Sequence, residues 1–126
     1  AIDPISKIVE ELRNRKVNCP VIGFPFKGGE KIIRYSYESK VDVVSLDWSA
    51  DLFWMERNIN PDVAIQGNLD PMILTCDDDK LLKDNVEEVM SILKNRVHIF
   101  NLGHGITPEG KVDNVNKLIN FIRIKR

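Results

Sequence analysis

Residues 97 to 105 read Val97-His98-Ile99-Phe100-Asn101-Leu102-Gly103-His104-Gly105, and no other segment indicates the fold so clearly. The β-branched and aromatic residues predict a buried strand, which stops at a histidine between two glycines. In barrels and open α/β sheets, reactive side chains lie on loops just after the carboxyl ends of parallel strands. His104 is therefore the first candidate functional residue, although a histidine between glycines can also simply occupy a tight turn.

Three segments upstream predict further strands, each followed by a polar or glycine-bearing loop. They are Val21-Ile22-Gly23-Phe24 before Pro25-Phe26-Lys27-Gly28-Gly29, residues 41–46 before Asp47-Trp48, and residues 63–66 before Gly67-Asn68-Leu69-Asp70-Pro71. Continuous apolar runs predict strands that are buried on both faces, as in a parallel sheet. Four βα units indicate an α/β fold: either a small open doubly wound domain or half of an eight-stranded barrel, since a whole barrel takes about 250 residues.

Amphipathic helices are predicted before, between and after these strands. The first begins at Asp3-Pro4, and the second spans residues 30–38 with Ile32, Ile33 and Tyr37 turned inward. Ser49 or Asp51 can cap the third, which contains Leu52, Phe53 and Met55, and Thr75 with Asp78 forms a start resembling a capping box for the longest. The last carries Val115, Leu118, Ile119 and Ile122 on its apolar face.

Composition limits the classes of function. The 126 residues are 43% hydrophobic, and 18 Lys and Arg against 19 Asp and Glu give a net charge of −1. A single globular domain is expected, with no basic field for nucleic acid or an anionic membrane. The apolar runs are too short for a membrane span and no secretory pattern is present, so a cytoplasmic location is expected. Cys19 and Cys76 form no C-x-x-C motif; they are predicted to be small buried hydrophobic residues, without a disulfide or structural zinc site.

The loop motifs, taken together and in order, resemble uroporphyrinogen decarboxylase. They are Gly23-Phe24 with Lys27-Gly28-Gly29, Val43-Val44-Ser45-Leu46-Asp47-Trp48, Gln66-Gly67-Asn68-Leu69-Asp70-Pro71 and Phe100-Asn101-Leu102-Gly103-His104-Gly105-Ile106. The resemblance covers the C-terminal part of that family. It implies a (β/α)8 TIM barrel, in which residues 1–126 form the C-terminal half-barrel with four βα units, strands five to eight.

The same resemblance implies an activity and a substrate. Family members remove one carboxylate from each of four acetate side chains of uroporphyrinogen III, which gives coproporphyrinogen III, and they use neither a metal nor an organic cofactor. The arginines and the aspartate that serve this chemistry belong to the family's N-terminal half, so no catalytic residue is assigned here. The histidine of Asn-Leu-Gly-His-Gly, which is His104, is expected to bind a substrate carboxylate. Family members commonly form homodimers.

The remaining residues at the strand ends allow more than one interpretation. Asp47 can contact a ligand, cap a helix or pair with a cation, whereas Asn68 and Asp70 are expected to organise the backbone around Gly67. Phe24 and Trp48 can line a pocket, but packing is the preferred interpretation for both. Between Phe24 and Gly28 the sequence fits the family pattern only loosely, which leaves the role of Lys27 in doubt.

Two alternatives to a decarboxylase remain open. The first is a zinc- or cobalamin-linked methyltransferase of the same superfamily, which would require Cys and His ligands at the strand ends. The second is a non-catalytic half-barrel that associates with a second copy or with the missing N-terminal half, because four parallel strands leave two edges unpaired. The chain alone is accordingly expected to be non-monomeric, with little or no decarboxylase activity.

Overall fold

The computed structural model describes residues 2–124, in which helices and short parallel strands alternate. The elements are α1 (Ile2–Asn14), β1 (Ile22–Gly23), α2 (Lys31–Glu38), β2 (Val43–Ser45), α3 (Leu52–Asn58), β3 (Ala64–Leu69), a 3-10 helix (Pro71–Thr75), α4 (Asp79–Ile92), β4 (His98–Leu102) and α5 (Val112–Ile124). The four predicted βα units are therefore all present. None of the described helices is long and apolar enough to cross a membrane.

The order of the strands distinguishes between the two predicted architectures. The sheet runs β1-β2-β3-β4, and every neighbouring pair is parallel. A doubly wound sheet reverses its strand order at a switch point, whereas each strand of a (β/α)8 barrel pairs with the next one in sequence. The four strands follow the barrel order, and the sheet is a half-barrel.

The core lies between one face of the sheet and the helices. Val44 and Ile65 are register partners on that face, and both are fully buried, as is Leu46 one layer further on. Ile32 of α2 and Met55 of α3 pack into the same cluster. A second cluster joins Leu69 to the 3-10 helix, α4 and α5. This packing fixes the strands, and with them the loops at their carboxyl ends.

The opposite face of the sheet is open at β1 and β4, where the prediction of strands buried on both faces is wrong, whereas β2 is buried at all three of its positions. Along β4, exposed residues alternate with partly buried ones, and Ile99 is 41% exposed. Ile22 of β1, on the same face, is 47% exposed. The apolar runs in the sequence predicted burial, but the helices cover only one side of the described sheet. In a closed barrel this open face would be the interior.

Local details correct several other predictions. On α2, Tyr35 is buried and Tyr37 is exposed, because Tyr35 follows the buried Ile32 by three residues and shares its face of the helix. Asp51 caps α3 and Asp78 caps α4, each accepting a hydrogen bond from a backbone N–H three residues on. Cys19 and Cys76 are both exposed, since they lie on the loop before β1 and just after the 3-10 helix rather than in the core.

Candidate functional site

The loops that follow the four strands come together at the carboxyl edge of the sheet. Gly103, just after β4, donates its N–H to the carbonyl of Leu69 at the end of β3, at 2.7 Å. Its backbone also passes so close to the loop after β2 that a Cβ added to Gly103 would lie 2.2 Å from the nitrogen of Trp48. Only glycine permits this approach. The glycine before His104 is thus needed to bring the β4 loop onto the β2 loop.

His104 lies exposed at this edge, within a group of aromatic rings. Its ring meets the Trp48 ring edge-on at 5.6 Å between centres and lies 5.7 Å from the ring of Phe26, which in turn lies 5.7 Å from Phe24. We call Phe24, Phe26, Trp48 and His104 the aromatic rim. The other three side chains are 47%, 45% and 39% exposed. Packing in the core, the preferred interpretation of Phe24 and Trp48, is therefore wrong: both present apolar surface at the site.

Asp47 anchors the loops that follow β1 and β2. Its side chain is buried, and its oxygens accept hydrogen bonds from the backbone N–H of Lys27 at 2.9 Å, the backbone N–H of Ser49 at 2.8 Å and the Ser49 hydroxyl. Burial would raise the pKa of the Asp47 carboxyl, but these hydrogen bonds together outweigh it and hold the pKa below its usual value. Asp47 therefore orders the loops as a carboxylate, and its oxygens are already engaged within the protein.

In the loop after β3, Asn68 and Asp70 hold the surrounding backbone in place, as predicted. The Asn68 amide donates to the carbonyls of Asp47 and Ala50, both at 3.0 Å, and Asp70 accepts from the N–H of Met72 at the start of the 3-10 helix. Gly67 has φ +126°, and a Cβ there would lie 2.8 Å from the Leu46 carbonyl oxygen. Glycine is therefore required at position 67 both by the backbone conformation and by the close packing.

Below the aromatic rim, the open face of the sheet forms a concave cavity of about 400 Å³. Its lining includes Ile22, Phe24, Ser45, Gln66, Asn101 and His104. We call it the cup. The Gln66 amide donates to the Ser45 hydroxyl at 2.9 Å. The interiors of barrels are usually filled by branched apolar side chains, so polar residues at this level suit a ligand that needs hydrogen bonds.

Sequence reasoning missed Ser45, Gln66 and Asn101 as site residues. Each interrupts or ends an apolar run. In the sequence alone, such a polar residue indicates only where a strand stops. Their register supplies the missing signal: Ser45 pairs with Gln66 across β2 and β3, so the two polar side chains share one face.

The second histidine, His98, lies outside this site. Its Nε2 is 2.9 Å from the carbonyl oxygen of Gly67, and burial lowers the pKa of its imidazole although that hydrogen bond opposes the shift. His98 is thus a neutral side chain that links β4 to β3. Within residues 2–124, no three His, Cys, Asp or Glu side chains lie close enough together to hold a metal ion.

Comparison with known proteins gives a consistent result. The model of the uroporphyrinogen decarboxylase (URO-D) family matches residues 1–124. Curated proteins named uroporphyrinogen decarboxylase are 37% identical over 98% of the chain in Jannaschia sp., 39% over 99% in Cereibacter sphaeroides and 40% over 95% in Chelativorans sp.. The chain spans 36%, 36% and 34% of the length of these relatives.

Proposed function

Because the chain belongs to the uroporphyrinogen decarboxylase family, a TIM-barrel family, we propose that it forms the wall of a uroporphyrinogen decarboxylase that binds substrate carboxylates and one face of the macrocycle. The observation that carries this proposal is the exposed His104 on the aromatic rim, directly above the cup. The protein that contains this chain would convert uroporphyrinogen III to coproporphyrinogen III in tetrapyrrole synthesis. A cytoplasmic location remains a prediction.

The residues of the wall suit binding better than proton transfer to a pyrrole. An imidazole N–H donates hydrogen bonds, so His104 can hold a carboxylate. Phe24, Phe26 and Trp48 offer aromatic surface against which the pyrrole rings of the macrocycle can pack. Holding the macrocycle in this way fixes which acetate group is presented to the reacting groups.

The decarboxylation itself is assigned to groups outside this chain. In the route implied by the family, protonation makes a pyrrole the electron sink, and the C–C bond to the carboxylate breaks with loss of CO2. A second proton then completes the new methyl group and the pyrrole gives up the first, so each decarboxylation consumes one proton. We give no residue of this chain a role in those proton transfers. The chain alone is accordingly proposed to have little or no turnover, and no metal or organic cofactor is proposed.

Steady-state kinetics with uroporphyrinogen III test the role of His104 in the protein that contains this chain. His104→Leu removes the donor, so kcat/KM should fall about 10- to 100-fold, mainly through KM, which is the effect of losing one hydrogen bond to a charged group. His104→Gln retains a donor and should recover part of the loss. Asn116→Leu introduces the same side chain at an exposed position on α5 and serves as the control. Equal KM values for His104→Leu and Asn116→Leu would refute the assignment.

A second candidate function is supported by the open face. Ile22, Phe24 and Ile99 expose apolar surface there, and β1 and β4 each have one edge unpaired within the described sheet. Such a surface favours association with a second copy, or with the remainder of a barrel, and a non-catalytic, self-associating half-barrel would use it in the same way. No comparable observation favours a methyltransferase, because Cys19 lies before β1, at the opposite edge of the sheet from His104.

A further inference from the structure

The β1 loop contains a cation that the proposed function has not used. Lys27 lies beside Phe26, with its Nζ 5.4 Å from the centre of that ring. The ring of His104 lies 5.7 Å from the same centre. Together these distances place the ammonium group and the imidazole no more than about 11 Å apart. Phe26 therefore lies close to both a cationic group and a histidine, at the same edge of the sheet.

The backbone of Lys27 is held in place by the buried carboxylate of Asp47. Lys27 donates its N–H to Asp47 Oδ2 and has φ +51°, a left-handed conformation that is unusual for a residue with a side chain. Such conformations persist where surrounding contacts impose them, and they concentrate at binding sites. The position of Lys27 next to the aromatic rim is thus imposed by the fold, although its side chain is exposed.

The charge of Lys27 has no counter-ion in the described part of the chain. Five other lysines form ion pairs with carboxylates; they are Lys40, Lys80, Lys83, Lys111 and Lys117. The carboxylate of Asp47 is buried, and its oxygens accept from the backbone N–H groups of Lys27 and Ser49. The ammonium group of Lys27 therefore remains free to pair with an anion brought by a ligand.

We propose that Lys27 is a second carboxylate-binding residue of the site, which holds one carboxylate of the substrate while His104 holds another. The inference rests on the proposed function, because uroporphyrinogen carries carboxylates on every pyrrole ring and a single imidazole can engage few of them. Two separate donors beside Phe26 would fix the rotation of the macrocycle as well as its position. An ammonium group on a flexible stem suits a carboxylate whose position changes as successive acetate groups are presented.

Steady-state kinetics of variants that remove or keep the charge of Lys27 test the inference in the protein that contains this chain. Lys27→Met keeps an apolar stem and removes the charge, so KM for uroporphyrinogen III should rise about 5- to 20-fold while kcat stays within about twofold. Lys27→Arg should restore most of the wild-type KM. Lys94→Met removes the same charge from an exposed position between α4 and β4, at the other edge of the sheet, and should change neither constant. The KM ratio of Lys27→Met to wild type should also shrink as salt is added.

The outcomes separate this inference from the proposed function. If the wild-type protein does not convert uroporphyrinogen III, the proposed function fails and the inference fails with it. If the wild type is active but Lys27→Met has the KM of Lys94→Met, only the inference is overturned. A fall in kcat with unchanged KM would also overturn it, because Lys27 would then act on a step other than binding. Near-UV circular dichroism of each variant shows whether the aromatic rim keeps its wild-type packing.

Discussion

Asp47 shows how one residue can organise a site that it does not enter. The sequence allowed Asp47 to contact a ligand, cap a helix or pair with a cation. In the structure it is instead buried and accepts from donors of two loops, a role that the sequence did not indicate. Its own carbonyl accepts from Asn68, and the backbone of Gly103 packs against the Asp47–Trp48 peptide. All four loops at the carboxyl edge therefore depend on this position.

Replacing Asp47 by Asn should lower stability in a pH-dependent manner. Asn offers one oxygen where the carboxylate offers two, so a buried donor loses its partner and the free energy of unfolding should fall by about 1–3 kcal/mol at pH 7. The pKa of Asp47 is lower in the folded protein than in the unfolded chain. The stabilisation by its charge is therefore fully present at pH values above the unfolded-state pKa, and it is lost as the pH falls through the folded-state pKa. The gap between wild type and variant should therefore narrow below about pH 4.

Urea unfolding from pH 7 to pH 3 measures that gap. Asp62→Asn is the matched control, because Asp62 lies exposed in the turn before β3 and its replacement should shift stability by less than about 0.5 kcal/mol at pH 7. A gap between wild type and Asp47→Asn that stays constant down to pH 3 would show that the charge of Asp47 is not what holds the loops.

At the scale of elements, Arg96 joins α3 to the sheet at the edge opposite the site. Its guanidinium donates to the carbonyls of Glu56, Ile59, Asn60 and Val63, which lie at the end of α3 and in the turn that leads to β3. Carbonyls at a helix C-terminus need such partners. A planar group with several donors can serve four carbonyls from one position, which an ammonium group cannot do.

Replacing Arg96 by Lys should therefore destabilise the fold without altering the site. We expect a loss of about 2–3 kcal/mol in the free energy of unfolding, because several carbonyls lose their donors, and no change in KM for uroporphyrinogen III. Thermal and urea unfolding give the first quantity and steady-state kinetics the second. Lys94→Met changes an exposed cation two residues away and should leave both unchanged. A raised KM in Arg96→Lys would show that the two edges of the sheet are coupled.

The elements also show how far the sequence could predict the structure. The type and order of the strands and helices followed from apolar runs and capping residues, and the candidate histidine followed from its place after a strand. The buried face of α2 did not follow from the sequence, because Tyr35 and Tyr37 are both compatible with its apolar pattern and only packing buries Tyr35. Arg96 gave no local signal either, since its partners lie 33 to 40 residues away in sequence.

For the whole molecule, the open face is what sequence periodicity could not predict. Ile99 lies in an apolar run, and such a run cannot distinguish a strand covered on both faces from one covered on a single face. The polar residues of the cup, Ser45 and Gln66, became a site only once the register placed them side by side. The loop motifs predicted the barrel family because they follow the carboxyl edge, where the order of the strands determines which loops meet.

The exposure of this face leads to a prediction about assembly of the 126-residue chain on its own. Ile22, Phe24 and Ile99 form apolar surface beside unpaired strand edges, so we expect the isolated chain to form a dimer through a second copy at micromolar concentrations. Size-exclusion chromatography with light scattering measures the mass, which should be about twice 14.5 kDa. Ile99→Asp places a charge in the proposed interface and should shift the chain to monomer.

Ile119 supplies the matched control for that experiment. It is 39% exposed on α5, close to the 41% of Ile99, but it lies on the helical side of the sheet. Ile119→Asp adds the same charge at similar exposure and should leave the dimer intact, because helices α4 and α5 lie away from the open face. A monomeric wild type at all concentrations would contradict the prediction, and dissociation by Ile119→Asp alone would move the interface to the helices. Dissociation by Ile99→Asp alone would mean that the surface which faces the barrel interior in the family also drives pairing of the isolated half.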